Sequence, residues 1–204
     1  MEQKVIVLYG GSFNPPSNSH MLLAKGVIDE YNMVEKIVFM PVSTLYKKQG
    51  LAYNEHRYNM LKLMCNKEDK FEVSNLEIDN PRQLHTIETL KLLQEQYADY
   101  AIWLMIGTDN LKELHTWKEP ELLLQEHKVF VLKRDNENID KIIENSRLLS
   151  KYKDSFIKCG NQDIQLSATK VREKIANKED AKDLLSKEVY DYIKEFKLYE
   201  KEED

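Results

Sequence analysis

Two glycines, Gly10 and Gly11, followed by Ser12, Phe13 and then His20, combine residue types suited to holding a phosphate chain. Glycines lack the Cβ atoms that would keep a polyanion from the backbone. A helix starting just behind them offers unpaired N–H groups and the positive end of its dipole. His20 adds a side chain that gives a proton or a charged hydrogen bond near neutral pH. Far along the chain, Ser167, Thr169 and Arg172 form a second such set: two hydroxyls at a helix start and, a turn further, a guanidinium able to clamp two oxygens. Plainer readings stay open, a tight turn for the glycines and simple N-capping for Ser167.

These groups need elements to aim them. Strand-like apolar runs at 5–9, 36–40, 71–74, 101–106, 128–132 and 155–158 alternate with stretches of helical period, the pattern of parallel βαβ units. The expected fold class is α/β: a doubly wound, mostly parallel, Rossmann-like sheet finished by C-terminal helices. The first helix would turn Met21, Leu22, Ala24, Val27 and Ile28 to the sheet. Asn54 would cap a second and Thr86 would open a third. The last, spanning 184–196, would bury Leu185, Val189, Ile193 and Phe196 on one face. The 101–106 run is apolar throughout, as a central strand buried on both faces would be. The polar turn that ends it, Gly107-Thr108-Asp109-Asn110, would face the same crevice as the 10–20 turn, because strand carboxyl ends line the ligand site in such sheets.

At 204 residues the chain is long enough for one buried core, and no linker or repeat divides it. One domain over 1–204 is expected, with 197–204 as a frayed, charged tail. A net charge of −5 argues against a general nucleic-acid binder. Cys65 and Cys159 belong to no ligand cluster and read as reduced, packed thiols. Only five apolar residues follow the first four positions, too few for a signal core or membrane span, so a cytoplasmic location without a membrane partner is expected.

The 10–20 string resembles the GG-[ST]-F-[DN]-P and HxGH signature of the nucleotidyltransferase α/β phosphodiesterase superfamily, and within it the bacterial nicotinate-nucleotide adenylyltransferases. His20 matches the second histidine, while Ser17 replaces the first and Ser19 the glycine. Residues 166–172 resemble the second signature, ISSTxxR, with Ala168 in place of a serine. Between them, the segment around His85, Thr86 and Thr89 resembles YTxxTL, with His85 at the aromatic position. Gly107-Thr108-Asp109 resembles the G-x-D turn, and Leu114-His115-Thr116-Trp117 resembles L-x-x-W. The likeness runs from Val5 to about Phe196.

The resemblance implies adenylyl transfer from ATP to nicotinate mononucleotide, a step of NAD biosynthesis that yields the deamido dinucleotide and pyrophosphate. The attacking phosphate is already an anion, so catalysis is mainly alignment and charge stabilisation. His20, Ser17 and Arg172 would be the catalytic groups, Ser17 donating a hydrogen bond without charge. Gly10, Gly11, Ser12, Phe13, Ser167 and Thr169 would surround the nucleotide phosphates, with Lys47, Lys48 and Arg57 as further phosphate contacts. Solvated lysines and a surface ion pair at Arg57 are the alternatives. Thr86 would lie near the pyridine ring, Gly107 and Asp109 at the ribose and Trp117 against the ring; a core role for the tryptophan also fits. Mg²⁺ is expected with ATP, and no dedicated carboxylate cage is evident for it. ATP and a pyridine mononucleotide are the expected partners, and an oligomer is compatible. Two other readings stand beside this one: another acceptor such as nicotinamide mononucleotide, or a catalytically impaired nucleotide sensor.

Overall fold

The computed structural model describes residues 3–46, 50–133, 137–159 and 168–201. Its strands are β1 (Val5–Gly11), β2 (Val34–Pro41), β3 (Phe71–Val73), β4 (Ala101–Gly107), β5 (Val129–Leu132) and β6 (Phe156–Cys159). They form one sheet in the order β3-β2-β1-β4-β5-β6, and every pairing is parallel. Helix α1 (Asn18–Glu30) connects β1 to β2, α2 (Asn54–Cys65) connects β2 to β3, and α3 (Thr86–Gln96) returns the chain past β1 to β4. Beyond β4 come α4 (Thr108–Glu113) and α5 (Pro120–Glu126); α6 (Ile139–Glu144) and α7 (Arg147–Lys151) precede β6, and α8 (Ala168–Ala176) and α9 (Lys187–Glu195) follow it. Strand order reverses between β1 and β4, which opens a crevice at their carboxyl ends.

Alternation along β1 explains the two-sided sheet. Val5, Val7 and Tyr9 pack with Leu23, Ala24 and Val27 of α1, Met60 and Leu61 of α2, and Val171 and Val189 of α8 and α9. Ile6 and Leu8 face the other way, onto Ile87, Leu90 and Leu93 of α3 with Leu111 and Leu123. Successive strand residues point to opposite faces, so a run apolar at every position needs helices on both sides. Each such side chain contributes about 1.5–3 kcal/mol on burial.

Several local expectations are corrected. Leu22 is 50 % exposed and Leu23 takes the inward place. Tyr53, not Asn54, is the N-cap of α2; the Asn54 Oδ1 instead accepts from the Thr44 N–H at 2.9 Å and the Arg57 Nη2 at 2.7 Å. Phe196 lies beyond the end of α9 and is 47 % exposed. The frayed tail does not begin at Lys197, because Leu198 and Tyr199 pack against the core; residues 202–204 lie outside the described part. Among the described residues, no helix is long and apolar enough to cross a membrane.

Candidate active site

Gly10 and Gly11 close β1, paired with Met40 and Pro41 of β2, and the turn that follows them is shaped by the ring of Phe13. Phe13 has a left-handed backbone, with φ at 43°, and its ring stands edge-on to Tyr9 at 5.4 Å and His20 at 5.1 Å. A Cβ added at Gly11 would come within 3.2 Å of that ring, whereas one at Gly10 would meet nothing within 4 Å. Gly10 thus has open space where a Cβ would stand, while the bare Gly11 makes room for the Phe13 ring.

Ser17 is the N-cap of α1. Its backbone N–H donates to His20 Nδ1 at 3.1 Å, and its Oγ lies 2.8 Å from the same nitrogen and 2.9 Å from Ser19 Oγ. An Nδ1 that accepts from an N–H leaves the proton of the neutral ring on Nε2. The expectation of Ser17 in the site is thereby corrected: it is 2 % exposed, absent from the cleft lining, and holds His20 from behind.

From the far end of the chain, Arg172 Nη1 donates to the Asn14 carbonyl at 2.7 Å and Nη2 to Thr169 Oγ1 at 3.1 Å. Helix α8 is thus tied to the β1–α1 loop. Arg57 has another place than the one expected. Its side chain is fully buried and donates to the carbonyls of Ala52, Ser12 and Val42 at 2.9, 2.9 and 2.6 Å. Burial pulls its pKa below the usual arginine value. With its fork committed to backbone oxygens, Arg57 braces two loops and does not reach the cleft as a phosphate contact. Ser167, Lys47 and Lys48 lie outside the described residues.

A cleft of about 990 Å³ gathers Gly10, Gly11, Ser12, Phe13 and His20 with Thr86, Asp109, Trp117, Thr169 and Arg172. It is at the upper end of the volumes usual for small-molecule sites. Gly107 ends β4 as the N-cap of α4, between the lining residues Ile106 and Asp109. Thr86 opens α3 behind the N-cap His85, whose N–H donates to Glu88 Oε2 at 2.9 Å. The Arg82 guanidinium, that N–H and Lys118 hold the Glu88 carboxyl down to about 2.

Sequence reasoning missed Glu77, which also lines the cleft and accepts from the buried Thr89 hydroxyl at 2.8 Å. Burial pushes its pKa up to about 7, against the opposing hydrogen bond. It sits in irregular chain between β3 and α3, where no periodicity marks a residue. Asn14 and Lys118 also line the cleft without having been singled out.

The parallel sheet opens the glycine-ended strand β1, a histidine and a C-terminal arginine onto one cleft at its reversal point, an arrangement suited to holding a nucleotide's phosphates. The chain belongs to the cytidylyltransferase-like family, whose model matches residues 8–174. It is 30 % identical over 202 residues to the probable nicotinate-nucleotide adenylyltransferase of Clostridium tetani, covering 98 % of this chain and 100 % of that one. The protein of the same name from Aquifex aeolicus is 34 % identical over 167 residues, 80 % of this chain and 98 % of the relative. The fold is also that of Plasmodium falciparum nicotinic acid mononucleotide adenylyltransferase complexed with NaAD, with a TM-score of 0.76 at 24 % identity over 96 % of this chain and 97 % of the other.

Proposed function

We propose that the protein transfers the adenylyl group of ATP to nicotinate mononucleotide, producing the deamido dinucleotide and pyrophosphate in NAD biosynthesis. The observation that carries this reading is a single cleft joining phosphate-directed groups, Gly10, His20, Thr169 and Arg172, to ring- and ribose-directed groups, Thr86, Asp109 and Trp117. An oxygen of the mononucleotide phosphate bonds to the α-phosphorus as the bridge from that phosphorus to the β-phosphate breaks. His20, its Nδ1 held by Ser17, offers the Nε2 proton to the α-phosphate oxygens as charge builds. Arg172 and Thr169 attend the leaving phosphates. Asp109 accepts from ribose hydroxyls, and Trp117 gives the pyridine ring a stacking face.

Mg²⁺ is proposed to arrive with ATP, bound through the triphosphate. Bound with the triphosphate, it would supply charge neutralisation for the departing pyrophosphate. A cytoplasmic location, without nucleic-acid or membrane partners, belongs to the same reading.

The place of Ser17 favours a second reading, a nucleotide-binding sensor of reduced activity. The serine brings no positive charge, and losing one stabilising donor at such a site raises the barrier by roughly 2–4 kcal/mol. Pyrophosphate release on mixing protein, ATP, Mg²⁺ and nicotinate mononucleotide separates the two. Turnover supports the enzyme; tight dinucleotide binding without turnover supports the sensor.

A further inference from the structure

Tyr199 lies past the last helix, in a stretch that reads as a charged tail, yet it reaches the signature loop. Its hydroxyl donates to Asn14 Oδ1 at 2.9 Å across 185 positions of sequence. The same Oδ1 accepts from the Ala52 N–H at 3.0 Å, while Asn14 Nδ2 donates to the Gly50 carbonyl at 2.7 Å. Asn14 is buried, lines the cleft and follows Phe13 directly. Its backbone carbonyl is the oxygen held by Arg172. One side chain thus fixes the loop after β1 to the 50–52 segment, and Tyr199 supplies one of the two donors its oxygen accepts.

The route to Asn14 has a conformational cost. After α9, the Leu198 N–H donates to the Ile193 carbonyl at 3.0 Å, and Lys197 takes a left-handed backbone with φ at 50°, the usual way a helix ends. Tyr199 then takes a second left-handed conformation, with φ at 64°. Non-glycine residues adopt this region rarely, and such strain persists where the surroundings hold it. Burial raises the Tyr199 pKa against the opposing charges of Arg172 and Arg57, so the phenol keeps the proton it donates.

We propose that Tyr199 is a positioning residue of the adenylyl-transfer cleft, fixing through Asn14 the Phe13–Asn14 segment and the 50–52 loop. This rests on the function proposed above. The Tyr199→Phe variant keeps the ring and removes one donor. It should lower kcat about three- to tenfold, with the KM of both substrates within about twofold of the parent. Hydrogen exchange at the Ala52 amide should quicken, while α9 amides keep their protection. Tyr199→Leu, which also removes the hydroxyl and keeps an apolar filler, should give at least the same kcat loss. Tyr192→Phe is the control: that hydroxyl serves His56 and Asn59, on the contact between α2 and α9, and its loss should leave kcat unchanged. Parental kcat and Ala52 protection in Tyr199→Phe would overturn the proposal, as would equal kcat losses at Tyr192 and Tyr199. A parent protein that releases no pyrophosphate counts against the proposed function alone, because Ala52 exchange still decides the role of Tyr199.

Discussion

At the phosphate end of the cleft, the loop after β1 is held by donors from distant parts of the chain: Arg57 donates to the Ser12 carbonyl, Arg172 to the Asn14 carbonyl and Tyr199 to the Asn14 side chain. At the acceptor end, the start of α3 is held by Glu88, paired with Arg82 and Lys118 at side chains 61 % and 41 % exposed. Exposed pairs of this kind contribute about 0–1 kcal/mol, whereas unpairing a buried polar group costs about 1–3 kcal/mol. The difference teaches where this molecule keeps its geometry. The end proposed to align the reacting phosphorus is fixed by bonds between distant parts of the chain; the end proposed to meet the acceptor is tied at the surface.

Breaking the rigid end should have the largest effect. Arg57→Leu leaves the Ser12, Val42 and Ala52 carbonyls unpaired and should lower stability by on the order of 4 kcal/mol, read by chemical denaturation. A change below about 1 kcal/mol would mean the brace is dispensable. His20→Ala should lower kcat about 100- to 1,000-fold with little change in the acceptor KM; an unaltered rate would remove His20 from the mechanism.

Glu77 sharpens the comparison through pH. Its native pKa of about 7 lies above the ordinary carboxylate value, so the folded protein keeps a proton that the unfolded chain has already released. This contribution is complete in acid, falls as pH rises from the usual carboxylate range, and is gone above about 7. Glu77→Gln should therefore be more stable than the parent at pH 8 by roughly 2–3 kcal/mol, and nearly equal to it at pH 4. Equal melting differences at both pH values would contradict that. The smallest effect is expected of Ser17→Ala, which removes the N-cap hydroxyl and should cost about 1 kcal/mol of stability. A modest fall in kcat should accompany it as the His20 ring loosens. If kcat rises, the hydroxyl competes with catalysis and does not support it.

The sheet was readable because its strands are apolar at nearly every position and its helices repeat apolar residues every three to four, two periods that physics ties to two backbone shapes. The meeting of the 10–20 turn with Asp109 was readable because strand carboxyl ends converge, whereas Trp117 was placed there by the family resemblance alone. Arg57 was misread because Glu55-His56-Arg57 looks like a solvated helix start; only bonds to Ser12 and Val42, remote in sequence, reveal a buried brace. Gly11 lines the cleft as expected, and its lack of a side chain also admits the Phe13 ring, which the sequence did not reveal. Glu77 and Tyr199 gave no local signal, since one sits in irregular chain and the other among charged residues, and both gain their roles from contacts that no periodicity encodes.

The most direct test offers nicotinate mononucleotide and its amide counterpart at equal concentration, with ATP and Mg²⁺, and identifies the dinucleotide formed. The account predicts mainly the deamido dinucleotide, with one pyrophosphate released per product. No dinucleotide of either kind, from a protein that still binds one tightly, would contradict it.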